Sequence, residues 1–231
     1  MSKCAVVLAG GKGTRLRPFT ISIPKPLVPI GEVPILEMII RKLEKEGFHR
    51  IVLAVNHQAE IIQAFFGDGR KWGVRVEYSL EDKPLGTMGP LRRISELPEN
   101  FIILNGDVLT DLDFRKFLAG HVRGRHLFTI ATHSRIQKID YGVMETDLNG
   151  RLTGFCEKPE IPYKVSMGIY AANRRILDFI PNGRHFGFDM LMLKLLEAGE
   201  EVHTRNHRGY WLDIGRPDDY EKAIRDFGGR K

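Results

Sequence analysis

The chain has 231 residues, 42% of them hydrophobic and 28% charged, with a net charge of +6. That allows a sizeable buried core in one large domain, and no apolar run approaches the roughly 18 residues a membrane-spanning helix needs. The basic residues are scattered and carry no nucleic-acid-binding signature, so small polyphosphate ligands explain the charge better than RNA or DNA.

The first apolar run, CAVVLA (4–9), reads as a strand. It is too short for a secretory signal and runs into GGKGTRL instead of a cleavage site of small residues. Cys4 and Cys156 form no metal or redox spacing, which fits a reducing cytoplasm. The stretch LAGGKGTRLRPFT (8–20) then holds three glycines, one lysine and two arginines. Gly10, Gly11 and Gly13 let the backbone take positive φ and approach a ligand closely. Consecutive N–H groups of such a loop make an anion-binding concavity, with Lys12, Thr14 and Arg15 as side-chain donors. Lys12 is followed by Gly13, which breaks the Walker A pattern, and Leu16 occupies the last glycine of a G-x-G-x-x-G fingerprint. A Gly-rich turn with solvated cations is the competing reading. In IPKPLVPI (23–30), Pro24 and Pro26 are expected to keep the backbone extended around Lys25 and to forbid a helix.

Downstream, 35–48 reads as a helix with Leu36, Ile39, Ile40 and Leu43 at helical spacing. RIVLAVN (50–56) is a strand, 59–67 a helix, 74–79 a strand and 89–97 a helix. FIILN (101–105) is a strand, 114–121 a helix and 126–132 a strand. This βαβα rhythm implies an α/β fold with a mainly parallel sheet and helices on both faces. Beyond residue 140 the pattern is mixed: two β-rich runs around Asn149-Gly150 (141–158), a strand (167–173), a helix (189–199), a short WLDI (211–214) and a last helix from Pro217. No linker, repeat or low-complexity segment divides the chain, so one domain over 1–231 is expected.

Asp107 follows FIILN at the carboxyl edge of a strand, where open α/β sheets bind ligands. A carboxylate there, opposite a phosphate loop, suits Mg²⁺, which favours one or two carboxylates plus substrate phosphates. Asp213 in YWLDIGRP is a second such aspartate. Either aspartate alone reads equally as a local cap. Glu157 and Lys158 in GFCEKP are taken as adjacent strand residues on opposite faces, a pairing suited to a substrate carrying both hydroxyls and a phosphate; a solvated strand end is the alternative.

With these pieces in place, the sequence resembles the sugar nucleotidyltransferases, or nucleoside-diphospho-sugar pyrophosphorylases. The family's G-x-G-T-R-L and P-K-P signatures stand here as Gly11 to Leu16 and Pro24 to Pro26. EDKPLGTMGPL (81–91), NGDVL (105–109), YGVM (141–144), FCEKP (155–159), SMGIY (166–170) and YWLDIGRPDDY (210–220) match in order, over essentially the whole chain. The resemblance implies a Rossmann-like, mixed but mainly parallel sheet of the nucleotide-diphospho-sugar transferase type. It implies that Leu8, Gly10, Gly11, Lys12, Gly13, Thr14, Arg15, Glu81, Gly86 and Thr87 bind the nucleotide. Arg15, Lys25 and Lys158 would act on the phosphates, Asp107 and Asp213 would hold Mg²⁺, and Tyr141, Gly142, Glu157, Lys158 and Gly168 would receive the sugar phosphate.

Glu81 stands where many thymidylyl- and uridylyl-transferring members carry a glutamine. A carboxylate only accepts hydrogen bonds, and guanine offers two adjacent donors, which favours GTP over UTP, dTTP or CTP. The E-D-K-P-L-G-T-x-G run also resembles the mannose-1-phosphate and heptose-1-phosphate guanylyltransferases. SMGIY departs from the commoner N-A-G-I-Y-like segment, and Met88 replaces a frequent small residue beside the expected nucleoside site. The expected partners are an NTP and a sugar 1-phosphate, with neither nucleic acid nor membrane, and a homodimer is open by analogy. A non-catalytic sugar-nucleotide-binding subunit is the contrasting reading.

Overall fold

The computed structural model describes residues 3–227. Its strands are β1 (Cys4–Leu8), β2 (Pro29–Ile30), β3 (Val33–Pro34), β4 (Arg50–Val55), β5 (Arg75–Leu80), β6 (Asn100–Asn105), β7 (Val108–Thr110), β8 (Phe128–Lys138), β9 (Val143–Thr146), β10 (Leu152–Cys156), β11 (Glu160–Asn173), β12 (Val202–His207) and β13 (Trp211–Asp213). The helices are α1 (Ile35–Lys45), α2 (Ala59–Phe66), α3 (Phe114–Arg123), α4 (Phe188–Glu197) and α5 (Pro217–Phe227).

Seven strands form the main sheet in the order β12-β8-β11-β6-β1-β4-β5. β1 pairs in parallel with β4 and β6, β4 with β5, and β12 with β8, while β11 runs antiparallel to both β6 and β8. The sheet is therefore mixed and mainly parallel, with helices packed on its faces. Alternation within β1 explains the layering: Ala5 and Val7 enter one core, with α1 and α3, and Cys4 and Val6 enter the other, with α4. Burying Leu36, Ile39, Ile40 and Leu43 on one stripe of α1 contributes about 1.5–3 kcal/mol per side chain. Burial also pushes the Cys4 thiol up to about 11, so it packs as a small apolar group.

Several expectations are corrected. Lys25–Leu27 is a single 3₁₀ turn, not an extended connector. Pro26 sits at its second position, where a missing N–H costs no hydrogen bond, and only Pro24 is extended. The helix expected over 89–97 is a 3₁₀ segment, Gly89–Arg93, because Pro90 opens it and Glu96 takes a φ of 55° before Pro98. β8 and β11 run past the expected ends to Lys138 and from Glu160, and they pair as far as Lys138 with Glu160. β12 was not expected, because its residues, VHTRNH, are mostly polar, as an edge strand permits. The Asn149-Gly150 turn does join a hairpin, β9 with β10, and Asp147 Oδ1 holds it by accepting from the Asn149 and Arg151 N–H groups.

Candidate active site

The carboxyl ends of β1, β4 and β6 open on a cavity of about 430 Å³. Its wall contains Leu8, Gly10, Gly11, Lys12, Gly13, Thr14, Arg15, Lys25, Glu81, Gly86, Thr87 and Asp107. The ladder continues into the loop: the Ala9 N–H donates to Ala54 O at 2.8 Å and the Gly106 N–H to Leu8 O at 2.9 Å.

Of the loop glycines, only Gly13 uses positive φ, at 60°. A Cβ there would lie 3.0 Å from both Lys25 Cβ and Thr20 Cγ2, and the Thr20 hydroxyl donates to Gly13 O at 2.7 Å. Gly13 thus lets the loop and the Lys25 turn touch. Gly10 serves close approach instead, since a Cβ would stand 3.2 Å from Asn56 N and 3.4 Å from Glu81 Oε1. Gly11 has nothing within 4 Å of such a Cβ and borders open space. Of the three, Gly13 alone uses the freedom that glycine gives.

Lys25 Nζ pairs directly with Asp107 Oδ2. Asp107 Oδ1 is buried with no hydrogen-bond partner, an acceptor that normally demands one. The antiparallel pair β7–β13 brings the second aspartate to this place: Asp213 lies opposite Val108, and the Ile214 N–H donates to Asp107 O at 3.0 Å. Burial raises the Asp213 carboxyl above its ordinary value; the Asp107 charge raises it further, while Lys25 and Arg15 pull it down. The Arg15 guanidinium lies beside Gly215, 3.8 Å from where a Cβ would stand. Among the described residues no group of three or more His, Cys, Asp or Glu could hold a metal. Two mutually repelling carboxylates with one orphaned oxygen fit a hard divalent cation whose remaining ligands are phosphate oxygens and water.

Glu81 lines the same cavity. Its Oε2 accepts the Leu85 N–H at 2.8 Å, and the Asn56 amide donates to Glu81 O at 2.8 Å. Burial raises its carboxyl, opposed by the Leu85 N–H and the charge of Arg93. The neighbouring turn is locked to the segment before α4. Gly86 takes a φ of 78°, and a Cβ on it would meet Phe186 O at 2.8 Å. Thr87 Oγ1 accepts the Phe188 N–H at 2.8 Å. Met88 does not lie beside the cavity as expected; it is fully buried in the core that packs α4.

The residues expected at the sugar are set apart. Gly168, at a φ of 70° in the register break of β11, lies behind cavity-lining Asn105: its Cβ would come 2.5 Å from Asn105 Nδ2. Tyr141, Gly142, Glu157 and Lys158 belong to the β9–β10 hairpin and its flanks and do not line the cavity. Gly142 and Glu157 are neighbours, a Cβ on the first lying 3.0 Å from Oε2 of the second. Strand alternation does not govern Glu157 and Lys158, because β10 ends at Cys156 and Lys158 turns out with a φ of 46°. Sequence reasoning missed Asn56 and Asn105 in the cavity wall. Each directly ends an apolar run, RIVLAVN and FIILN, a signal that was present in the sequence.

A family model described as nucleotidyl transferase matches residues 4–228. The chain is 37% identical over 242 residues to the UTP–glucose-1-phosphate uridylyltransferase of Synechocystis sp., covering 96% of this chain and 62% of that protein. It is 32% identical over 225 residues to the D-glycero-alpha-D-manno-heptose 1-phosphate guanylyltransferase of Aneurinibacillus thermoaerophilus, covering 96% and 97%. Several curated relatives are longer, and the chain spans about three fifths of their length. Among solved structures, HddC from Yersinia pseudotuberculosis complexed with GMP-PN superposes with a TM-score of 0.75 at 27% identity, covering 97% of this chain and 99% of that one.

Proposed function

This chain belongs to the nucleotidyl transferase family, and on that footing we propose that it transfers a nucleoside monophosphate from an NTP, GTP by preference, to a sugar 1-phosphate. The products are a nucleoside-diphospho-sugar and pyrophosphate. The observation that carries this reading is the cavity in which the Gly-rich loop, Lys25, Asp107 and Glu81 meet.

The chemistry asks for charge management more than for a nucleophilic side chain. A sugar 1-phosphate is largely dianionic at neutral pH, its second pKa being about 6, so its oxygen attacks the α-phosphorus without a general base. The bond from the α-phosphorus to the bridging oxygen breaks, and pyrophosphate carries that electron pair away. The N–H groups of loop 10–15 and the Arg15 guanidinium receive the β- and γ-phosphates. Lys25 neutralises the α-phosphate where charge develops. Lys158 meets the acceptor phosphate, and Tyr141, Gly142, Glu157 and Gly168 form the sugar's surroundings. Asp107 and Asp213 would hold Mg²⁺, which when bound offsets the repulsion between the two polyanions.

Glu81 supports the guanine preference. With Oε2 committed to the Leu85 N–H, Oε1 is turned toward Gly10 and is free to accept from the adjacent donors of guanine. The Aneurinibacillus guanylyltransferase and the HddC complex with GMP-PN point the same way. The Synechocystis uridylyltransferase favours the second reading, the same reaction with UTP. Arg15, Lys25, Asp107 and Asp213 are all present, which argues against a non-catalytic subunit. Pyrophosphate release from GTP, UTP, dTTP, CTP and ATP, each with Mg²⁺ and a pool of sugar 1-phosphates, tests the proposal. Sugar-dependent release greatest with GTP is expected; greatest release with UTP replaces the base, and nucleotide binding without release replaces the activity.

A further inference from the structure

One rung beyond the main sheet is made by a side chain. β4 and β5 pair in parallel as far as Val55 opposite Leu80, and the Glu81 N–H still donates to Val55 O at 3.1 Å. Both strands end there. The next acceptor, Glu81 O, receives the Asn56 side-chain amide at 2.8 Å instead of a backbone N–H. Asn56 thus carries the ladder one step past the strand ends, at the residue whose carboxylate lines the cavity. It also abuts the phosphate loop: a Cβ on Gly10 would lie 3.2 Å from Asn56 N, 3.3 Å from Asn56 Cβ and 3.4 Å from Glu81 Oε1. The other fastenings of the Glu81 turn do not reach the loop. Leu85, which donates to Glu81 Oε2, belongs to the same turn; the Phe186 N–H, donating to Leu85 O, ties its other end to the segment before α4. The Arg93–Asp82 pair is exposed, and such pairs hold little.

We propose that Asn56 is a positioning residue for base selection: by holding Glu81 O it fixes the Glu81 carboxylate relative to the phosphate loop. The proposal rests on the reading of Glu81 as the acceptor for guanine. A nucleotide with its phosphates on the loop and its base at Glu81 spans both, so the separation of loop and carboxylate decides whether the two ends are satisfied together. Hydrogen bonds weaken steeply once misaligned, and a Glu81 turn released from Asn56 loses that alignment. The loss is selective. Guanine presents two adjacent donors to a carboxylate, whereas uracil presents one donor between two carbonyls and has less to lose.

Isothermal titration of GTP and of UTP into the full chain, with Mg²⁺ and without sugar phosphate, reads base preference without turnover. Asn56→Ala and Asn56→Asp should each lower the ratio of GTP affinity to UTP affinity by about fivefold. Aspartate keeps the size and the oxygen of Asn56 but lacks its N–H, and its charge repels both triphosphates alike, so it cancels in the ratio. Glu81→Ala should abolish the preference, and Asn56→Ala added to it should change the ratio no further, as when one residue acts through another. A ratio unchanged in the Asn56 variants, whether affinity holds or falls equally for both nucleotides, overturns the proposal. So does a full additive loss on top of Glu81→Ala. A ratio kept in Asn56→Asp but lost in Asn56→Ala also overturns it, by assigning direct contact through the oxygen. If Glu81→Ala keeps the ratio of the parent, the guanine reading itself fails and the proposal falls with it. Failure of the transfer reaction alone would show instead as absent pyrophosphate release with these ratios intact.

Discussion

The two ends of the site are built differently. At the loop end, backbone sets the shape: Gly13, Gly10 and Gly86 are glycines because a neighbour occupies the place of a Cβ, and the charged groups Lys25 and Asp107 already touch. At the hairpin end, side chains project from strands that have left the sheet. Tyr141 is 79% exposed, Met144 67% and Phe155 62%. In the proposed reaction, the end assigned to the chain of phosphates is preformed. The end assigned to the sugar stands in solvent on an exposed hairpin. Substitutions should therefore act mainly on turnover at the first end and mainly on acceptor binding at the second.

The largest effect is expected at the paired aspartates. Asp107→Asn or Asp213→Asn should lower kcat by about 10²–10³, with circular dichroism and melting temperature close to those of the parent. Near-parental turnover in both would remove the acidic pair from the chemistry and erase the contrast between the ends. Lys158→Ala comes next. It should raise the KM for the sugar phosphate by about tenfold and leave that for the nucleotide unchanged; a purely kcat effect would place Lys158 with the loop end.

Glu81→Gln should shift the ratio of kcat/KM for GTP over UTP several-fold toward UTP, since an amide presents both a donor and an acceptor where the carboxylate only accepts. An unchanged nucleotide ranking would leave Glu81 as a brace for the Leu85 N–H and nothing more.

The smallest effect lies outside both ends and serves as a control. His121 is buried, with Nδ1 2.8 Å from Thr129 Oγ1 and Nε2 without a partner. Burial first, then the nearby His126 and His203, lowers it from 6.5 to about 4. The unfolded chain therefore binds a proton between about pH 6.5 and 4 that the folded chain refuses. Stability from this group is fully present above pH 6.5 and is lost as pH falls toward 4, by an amount on the order of 1–3 kcal/mol. Urea denaturation at pH 7 and pH 5 should show the loss in the parent and a smaller one in His121→Asn. Equal losses in the two would clear His121 of the effect.

The sequence disclosed the two ends unequally, and for a physical reason. Buried strands such as CAVVLA and FIILN, and the apolar stripe of α1, announce themselves by composition and period, so the succession of strands and helices in the parallel half was legible in outline. The loop's place in the cavity wall was legible as well, because glycines and cations crowded at a strand end add little to a core. What stayed hidden was made by pairing across long separations. The family resemblance paired Asp213 with Asp107, but the strand pair that joins them, β7–β13, links residues more than a hundred apart and has no local signal. Asn105 meets Gly168 through the antiparallel pairing of β6 with β11, whose register sets Ile169 opposite Leu104. Local period also misled at Glu157 and Lys158, where the strand stops one residue too soon for alternation to apply.

The reaction proposed for this chain makes its new bond at the α-phosphorus of the nucleotide. Following that atom is the sharpest experiment: incubate the protein with Mg²⁺, GTP labelled at the α-phosphorus and a sugar-1-phosphate pool, and separate the products. Label is expected in a nucleoside-diphospho-sugar, with unlabelled pyrophosphate released in equal amount. Label left in free GMP, or in GDP with a phosphate passed to the sugar, would contradict the proposed transfer.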